Sequence, residues 1–313
     1  MSDTPVNPTR WLPLSRWTLM TVIGPQAQKF LQGQVTCDVN ALEPGVSRLG
    51  AHCTPKGRMV FSFRALARDP EHFMLRLPTS MVKPAQATLG KYIVFSKAEL
   101  AAAGEQWTLR GIVGPDARTL LTRHLMEPAT EPGDWVEQDG QLLITLGENR
   151  FECWLTPERA ETLDGRLADY HEEKGDHRWV LEDIRAGLGE VGPETSEVFT
   201  PQALNFPSVG AVSFKKGCYT GQEVVARLHY KGKLKRRMRR LGTDWSPEQP
   251  LPAAGQPLTD AEERKVGELV MAARNGDDQI ECLAVLDDKA MESARIPGSD
   301  SPARLLSLPY NVE

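Results

Sequence analysis

The sequence has 313 residues, 40% of them hydrophobic and 25% charged, which excludes a disordered chain and gives enough apolar content for a sizeable buried core. Length favours about two domains, and three smaller modules satisfy it equally well. The net charge of −5 excludes a wholly basic nucleic-acid binder, yet residues 215–240 hold ten Lys or Arg against one acid, Glu223, a local net of +9.

Residues 1–11 mix Pro and polar residues without an apolar signal core, and no later run is long and apolar enough to span a bilayer, so a cytoplasmic chain without membrane attachment is expected. The five cysteines, Cys37, Cys53, Cys153, Cys218 and Cys282, are odd in number and lack CxxC or CxxH spacing. They read as reduced thiols and not as metal ligands.

Val22-Ile23-Gly24-Pro25-Gln26-Ala27 followed by Phe30-Leu31 has a second copy in Ile112-Val113-Gly114-Pro115-Asp116-Ala117 followed by Leu120-Leu121. Each copy predicts a strand ending at Gly, then a helix opened by Pro at its first position. Two such units suggest the halves of a split β-α-β domain, 12–46 plus 106–230, with 47–105 inserted as an α+β module. Within the insert, strands are expected at 58–67, 72–77 and 92–95, and a helix at 79–89. Strands at 141–146 and 151–155 and helices at 157–174 and 176–186 follow, the last closed by Gly187. From 231 to 313, short strands between Pro, Gly and Asp clusters suit a small β-barrel. The basic run 231–240 reads as a solvated, partly strand-forming connector. Its alternative reading is an RNA contact, though only Tyr230 accompanies it as a base-stacking aromatic.

The most informative stretch is Phe214-Lys215-Lys216-Gly217-Cys218-Tyr219-Thr220-Gly221-Gln222-Glu223, followed by Arg227. Two glycines allow a close backbone approach to a ligand, and Lys216 near Cys218 would favour a thiolate nucleophile. The competing reading makes Cys218 a small buried residue and the glycines an ordinary turn.

The KGCYTGQE run with Arg227 resembles the defining motif of the YgfZ family of folate-binding, tRNA-modifying proteins. Further matches are Phe30-Leu31-Gln32-Gly33-Gln34-Val35-Thr36 with Asp38-Val39, Ala51-His52-Cys53 leading to Lys56-Gly57-Arg58, Lys91-Tyr92 with Val94-Phe95-Ser96-Lys97, Pro201-Gln202 with Asn205, and Leu308-Pro309-Tyr310. The resemblance implies an α+β chain built as a three-domain ring, similar to the glycine-cleavage T-protein aminomethyltransferase, around a central channel for tetrahydrofolate or a derivative. It implies folate contact at Trp17 and Trp179, whose indole faces suit a flat heterocycle. It also favours a reactive Cys218, with Lys216 as the catalytic partner that its closeness in sequence suggests, in a loop of Gly217, Tyr219, Thr220, Gly221, Gln222, Glu223 and Arg227. The expected role is support of iron–sulfur tRNA-modifying enzymes, with direct tRNA contact as a further partner.

Two departures from the aminomethyltransferase pattern count against glycine cleavage. No carboxylate occurs in 56–67, where that enzyme needs an Asp, and Arg185 stands where the superfamily often has a pterin-binding Glu. Glu182 or Asp183, one turn earlier, is the candidate replacement. His52, Lys56 and Arg58 form a weaker set: cations able to meet folate carboxylates, or solvated loop charges. An aminomethyltransferase and a direct RNA-binding protein remain the alternative functions.

Overall fold

The structure is a computed structural model that describes residues 8–172, 175–232, 234–299 and 301–312. Strand β1 (Arg10–Pro13) turns at Leu14 into β2 (Trp17–Ile23), which ends at Gly24 and leads to helix α1 (Ala27–Gln32). The hairpin β3 (Ser47–Cys53) and β4 (Met59–Asp69) continues into β5 (His72–Pro78), helix α2 (Val82–Ile93) and β6 (Glu99–Ala102). Next come β7 (Thr108–Val113), α3 (Ala117–His124), β8 (Trp135–Gln138), β9 (Gln141–Gly147) and β10 (Arg150–Leu155). Helices α4 (Pro157–Arg166) and α5 (Gly175–Arg185) precede a long irregular stretch that ends at α6 (Gln222–Lys231). The remainder is β11 (Arg236–Asp244), β12 (Pro257–Thr259), β13 (Lys265–Arg274), β14 (Gln279–Asp287) and β15 (Arg304–Leu306).

The repeat is real at the level of conformation. Gly24 and Gly114 adopt φ of +137° and +127°, and their carbonyls accept from Ala27 and Ala117 at 2.9 and 3.1 Å. Each helix buries the Ala, the Phe or Leu, and the Leu that the periodicity puts on one face. Pro25 and Pro115 differ from expectation by lying in the turn, one residue before the N-caps Gln26 and Asp116.

Strand pairing does not follow the expected division of the chain. β2 pairs with β5 and β6, so the sheet β3-β4-β5-β2-β6 joins the first repeat copy to the expected insert. Only β1 crosses to the second sheet, β1-β7-β10-β9-β8, with Arg10 opposite Val113. The C-terminal strands form an open antiparallel sheet, β12-β13-β14-β11-β15, and no closed barrel occurs among the described residues. Its edge strands are three residues each, too short to pair around a cylinder. The expected strand at 92–95 is also absent: Tyr92 lies in the last turn of α2, and Val94 and Phe95 stand 71% and 86% exposed.

A shared apolar core holds Trp17, Trp154 and Trp179 and joins all three sheets, and each sheet carries a second cluster of its own. Helices α1 and α2 cover one sheet, and α3 and α4 cover another. α5 packs against β13 and β14 and buries Trp179 toward β7, where Gly111 leaves the indole room: a Cβ there would lie 2.5 Å from the ring. No described helix is long and apolar enough to cross a membrane.

Candidate functional site

Three separated segments converge around the cysteine loop. Thr220 donates its backbone N–H to Gly33 O at 3.2 Å and its hydroxyl to Gln34 Oε1 at 3.2 Å. His52 Nδ1 lies 2.7 Å from the Gln34 carbonyl, which fixes the ring proton on that nitrogen. Gly221, at φ +84°, opens α6 and sits so close to the β3–β4 turn that a Cβ would lie 2.4 Å from Thr54 O. Across the same contact, a Cβ on Gly57 would lie 3.0 Å from the Val224 side chain. Gly217 has open space beside it, so of the two loop glycines only Gly221 is required by a close approach.

Cys218 is exposed on this loop, whereas the other four cysteines are buried. Burial pushes the Cys37 thiol up to about 11 and Cys53 to about 12, and raises Cys153 and Cys282 further. Lys216 does not serve Cys218 as expected. Its ammonium is buried, donates to Val35 O at 2.7 Å and Cys37 O at 2.8 Å, and stands 5.1 Å from the Tyr219 ring centre. Burial lowers its pKa to about 8. Lys216 therefore anchors the loop. Tyr219 is buried beside it, and Gln222, Glu223 and Arg227 lie on α6, with Glu223 exposed.

His52 is likewise no loop cation. It is buried, stacked on Phe61 with ring centres 5.6 Å apart, and burial lowers its pKa, so it stays neutral and orients Gln34. Lys56 and Arg58 are exposed at the hairpin turn, where the Arg58 guanidinium donates to Val198 O.

Between the two N-terminal sheets lies a polar cavity of about 40 Å³, lined by Ser62, Arg64, Arg76, Glu152, Asp183 and Glu190 among apolar neighbours. Trp17 and Trp179 do not line it but back the groups that do. Trp17 Nε1 donates to Glu190 Oε2 at 2.5 Å, and the Arg76 guanidinium covers the Trp17 ring at 4.4 Å. The Trp179 ring is covered by Arg150 at 4.1 Å, and Arg150 pairs with Asp183 at 2.7 Å. Both indole faces are thus already engaged by cations. Burial raises the Glu190 pKa and lowers that of Arg64 to about 10. Glu190 Oε1 is buried without a hydrogen-bond partner and is in ion-pair contact with the Arg16 guanidinium at 3.6 Å.

Arg185 points elsewhere, pairing with Glu281 at 3.2 Å and Asn275 at 3.0 Å. Of the two candidate replacements, Asp183 reaches the cavity, while Glu182 pairs with Arg178 and Arg185. Sequence reasoning missed Glu152, Glu190, Arg64 and Arg76. The available signal was charge inside otherwise apolar strands, as at Arg64 in β4 and Arg76 in β5, where burial requires a partner.

The cavity shares Leu49, Arg64 and Val209 with a neighbouring chamber of about 270 Å³, which shares Arg48 and Gly210 with an open cleft of about 700 Å³. The outer cleft is walled by Phe214, Lys215, His229 and Tyr230, from the cysteine loop and α6. No cluster of His, Cys, Asp and Glu suited to a metal occurs among the described residues.

The GCVT N-terminal domain family matches residues 13–132. The chain is 33% identical over 316 residues to the "tRNA-modifying protein YgfZ" of Photobacterium profundum, covering 96% of this chain and 91% of that protein. It is 32% identical over 313 residues to the protein of the same name from Escherichia coli O127:H6, covering 98% and 94%. Among solved structures, the glycine cleavage system aminomethyltransferase T from Bartonella henselae superposes with a TM-score of 0.75 over 98% of this chain and 87% of that one. Its sequence identity is 19%, so that likeness is one of fold. With a third of its residues shared along nearly the whole length of these relatives, and with its central motifs brought together in one loop cluster, the chain belongs to the YgfZ family.

Proposed function

We propose that the protein binds tetrahydrofolate or a derivative in its central cavity and, in the cytoplasm, supports tRNA modification by iron–sulfur enzymes, with Cys218 as its reactive residue. The tRNA role draws on the names of the relatives, and the folate on the fold shared with the aminomethyltransferase. The observation that carries the ligand reading is Glu190: a buried carboxylate lining a polar cavity, with Oε1 outside hydrogen-bond range of any donor and met only by Arg16 at 3.6 Å, is complementary to the N–H edge of a pterin. Asp183 and Glu152 line the same space and supply acid groups that 56–67 lacks. In this reading the three sheets form a ring about the channel, and Trp17 and Trp179 hold the lining groups in place.

The inner cavity admits only a few atoms, so a pterin requires Arg76 and Glu190 to yield or takes the adjoining chamber, with the glutamate tail directed toward Arg48. Bound folate would supply one-carbon chemistry, while Cys218, outside the cavity lining, would meet a partner from solvent. The test is complementation of iron–sulfur-dependent tRNA modification in a deletion strain. Wild type should restore it, and Cys218→Ala, a surface change expected to alter stability by less than about 0.5 kcal/mol, should not. Full restoration by Cys218→Ala removes the cysteine from the proposal.

A further inference from the structure

Phe214, His229 and Tyr230 come together on the wall of the outer cleft. The Phe214 and His229 ring centres lie 3.7 Å apart with planes within 9° of parallel. Tyr230 stands edge-on to His229 at 4.8 Å and is 67% exposed. A tyrosine left this far in water, next to a stacked pair, offers a free flat face. Arg48 and Lys215 supply positive charge at the rim against one acid, Asp38, whose Oδ1 accepts from Gln32 Nε2 and the Asn40 N–H. By contrast Arg239 and Arg240, later in the same basic run, are already paired with Asp288 and Glu281.

On its other side, His229 lines a pocket of about 130 Å³ together with Gln202, Asn205 and Arg237. The amide NH2 groups of Gln202 and Asn205 donate to Val225 O and Met238 O, which fixes both side chains. Their oxygens, Gln202 Oε1 and Asn205 Oδ1, are buried and have no donor. Buried acceptors are costly to leave unmatched, so this pocket suits a ligand edge that carries N–H groups.

Flat faces, cationic rim and unmatched acceptors together are complementary to an unpaired base on a phosphate backbone. We propose that this cleft binds a single-stranded loop of a tRNA. One base stacks against Tyr230 and the Phe214–His229 pair, the amino edge of a neighbouring base enters the pocket across His229 to meet Gln202 and Asn205, and Arg48 and Lys215 meet phosphates. The proposal rests on the tRNA-modification reading and deepens it by naming the surface that holds the RNA. The cleft is walled in part by Phe214 and Lys215 of the loop that carries Cys218, and it shares Arg48 and Gly210 with the chamber next to the inner cavity, so a bound RNA lies near the cysteine loop. A folate glutamate tail would use the cations but leave the aromatic wall without a partner.

The test is fluorescence anisotropy of the full chain with a tRNA stem–loop, the same stem without its loop, and a folate polyglutamate. The stem–loop should bind more tightly than the bare stem. Tyr230→Ala, which removes an exposed ring, should weaken the stem–loop about tenfold or more while leaving the slope of affinity against salt unchanged. Equal binding by wild type and Tyr230→Ala, no preference for the loop, or no stem–loop binding overturns the proposal. So does a Tyr230→Ala defect confined to the polyglutamate, which gives the cleft to the folate tail. Complementation separates this from the reading beneath it. If wild type fails to restore the tRNA modification, the tRNA role itself is wrong. If wild type and Tyr230→Ala restore it equally, only the cleft assignment falls.

Discussion

Lys216 and Cys218 are neighbours on one loop and occupy opposite environments, the ammonium buried against two carbonyls and the thiol in solvent. Spacing alone cannot distinguish these environments, because a turn sends nearby side chains in unrelated directions. That is why sequence left Cys218 open between a reactive and a buried residue, and set Lys216 beside it although the ammonium turns inward. Burial lowers the Lys216 pKa from 10.5 to about 8, so the folded protein releases this proton before the unfolded chain does. Between those values the unfolded state binds more protons, and this group's contribution to stability rises with pH. Unfolding free energies of wild type and Lys216→Met should therefore diverge in favour of wild type from about pH 8 to 10.5. A pH-independent difference would mean that the ammonium is solvated. The alkylation profile of Cys218 against pH should be the same in both proteins, and a displaced profile would restore the activation reading.

At the scale of elements, the β-α repeat was readable because Gly at positive φ and a period of 3.6 leave direct traces in sequence, down to Ala27 and Ala117 at the two helix starts. Tyr92-Ile93-Val94-Phe95 misled because a short apolar run reads equally as strand or helix end, and its burial depends on what lies nearby. The two glycines of the cysteine loop were alike in sequence and differ in space. Gly221→Ala meets both a left-handed backbone and Thr54 O at 2.4 Å, while Gly217→Ala meets nothing within 4 Å. We expect Gly221→Ala to lower stability by about 1–3 kcal/mol and to detach the loop from the β3–β4 turn. Gly217→Ala should stay within about 0.5 kcal/mol of wild type. Chemical denaturation of the pair measures both, and equal losses would contradict the packing described.

For the whole molecule, the sequence motifs indicated the family and the α+β class, but not which strands share a sheet. β2 lies in sequence beside β1 and in space between β5 and β6, a long-range pairing that local pattern does not encode. The central cavity was hidden for the same reason, since Arg64, Arg76, Glu152, Asp183 and Glu190 come from separate segments that only the folded chain gathers. The central claim is that these groups hold a reduced folate. The most direct measurement is calorimetric titration of folinic acid into wild type and Glu190→Gln, a change that keeps an acceptor for Trp17 Nε1. Wild type should bind, and Glu190→Gln should bind about tenfold or more weakly through loss of charge-assisted hydrogen bonds. Undiminished affinity in a folded Glu190→Gln, or no binding by wild type, would contradict the folate site proposed for this cavity.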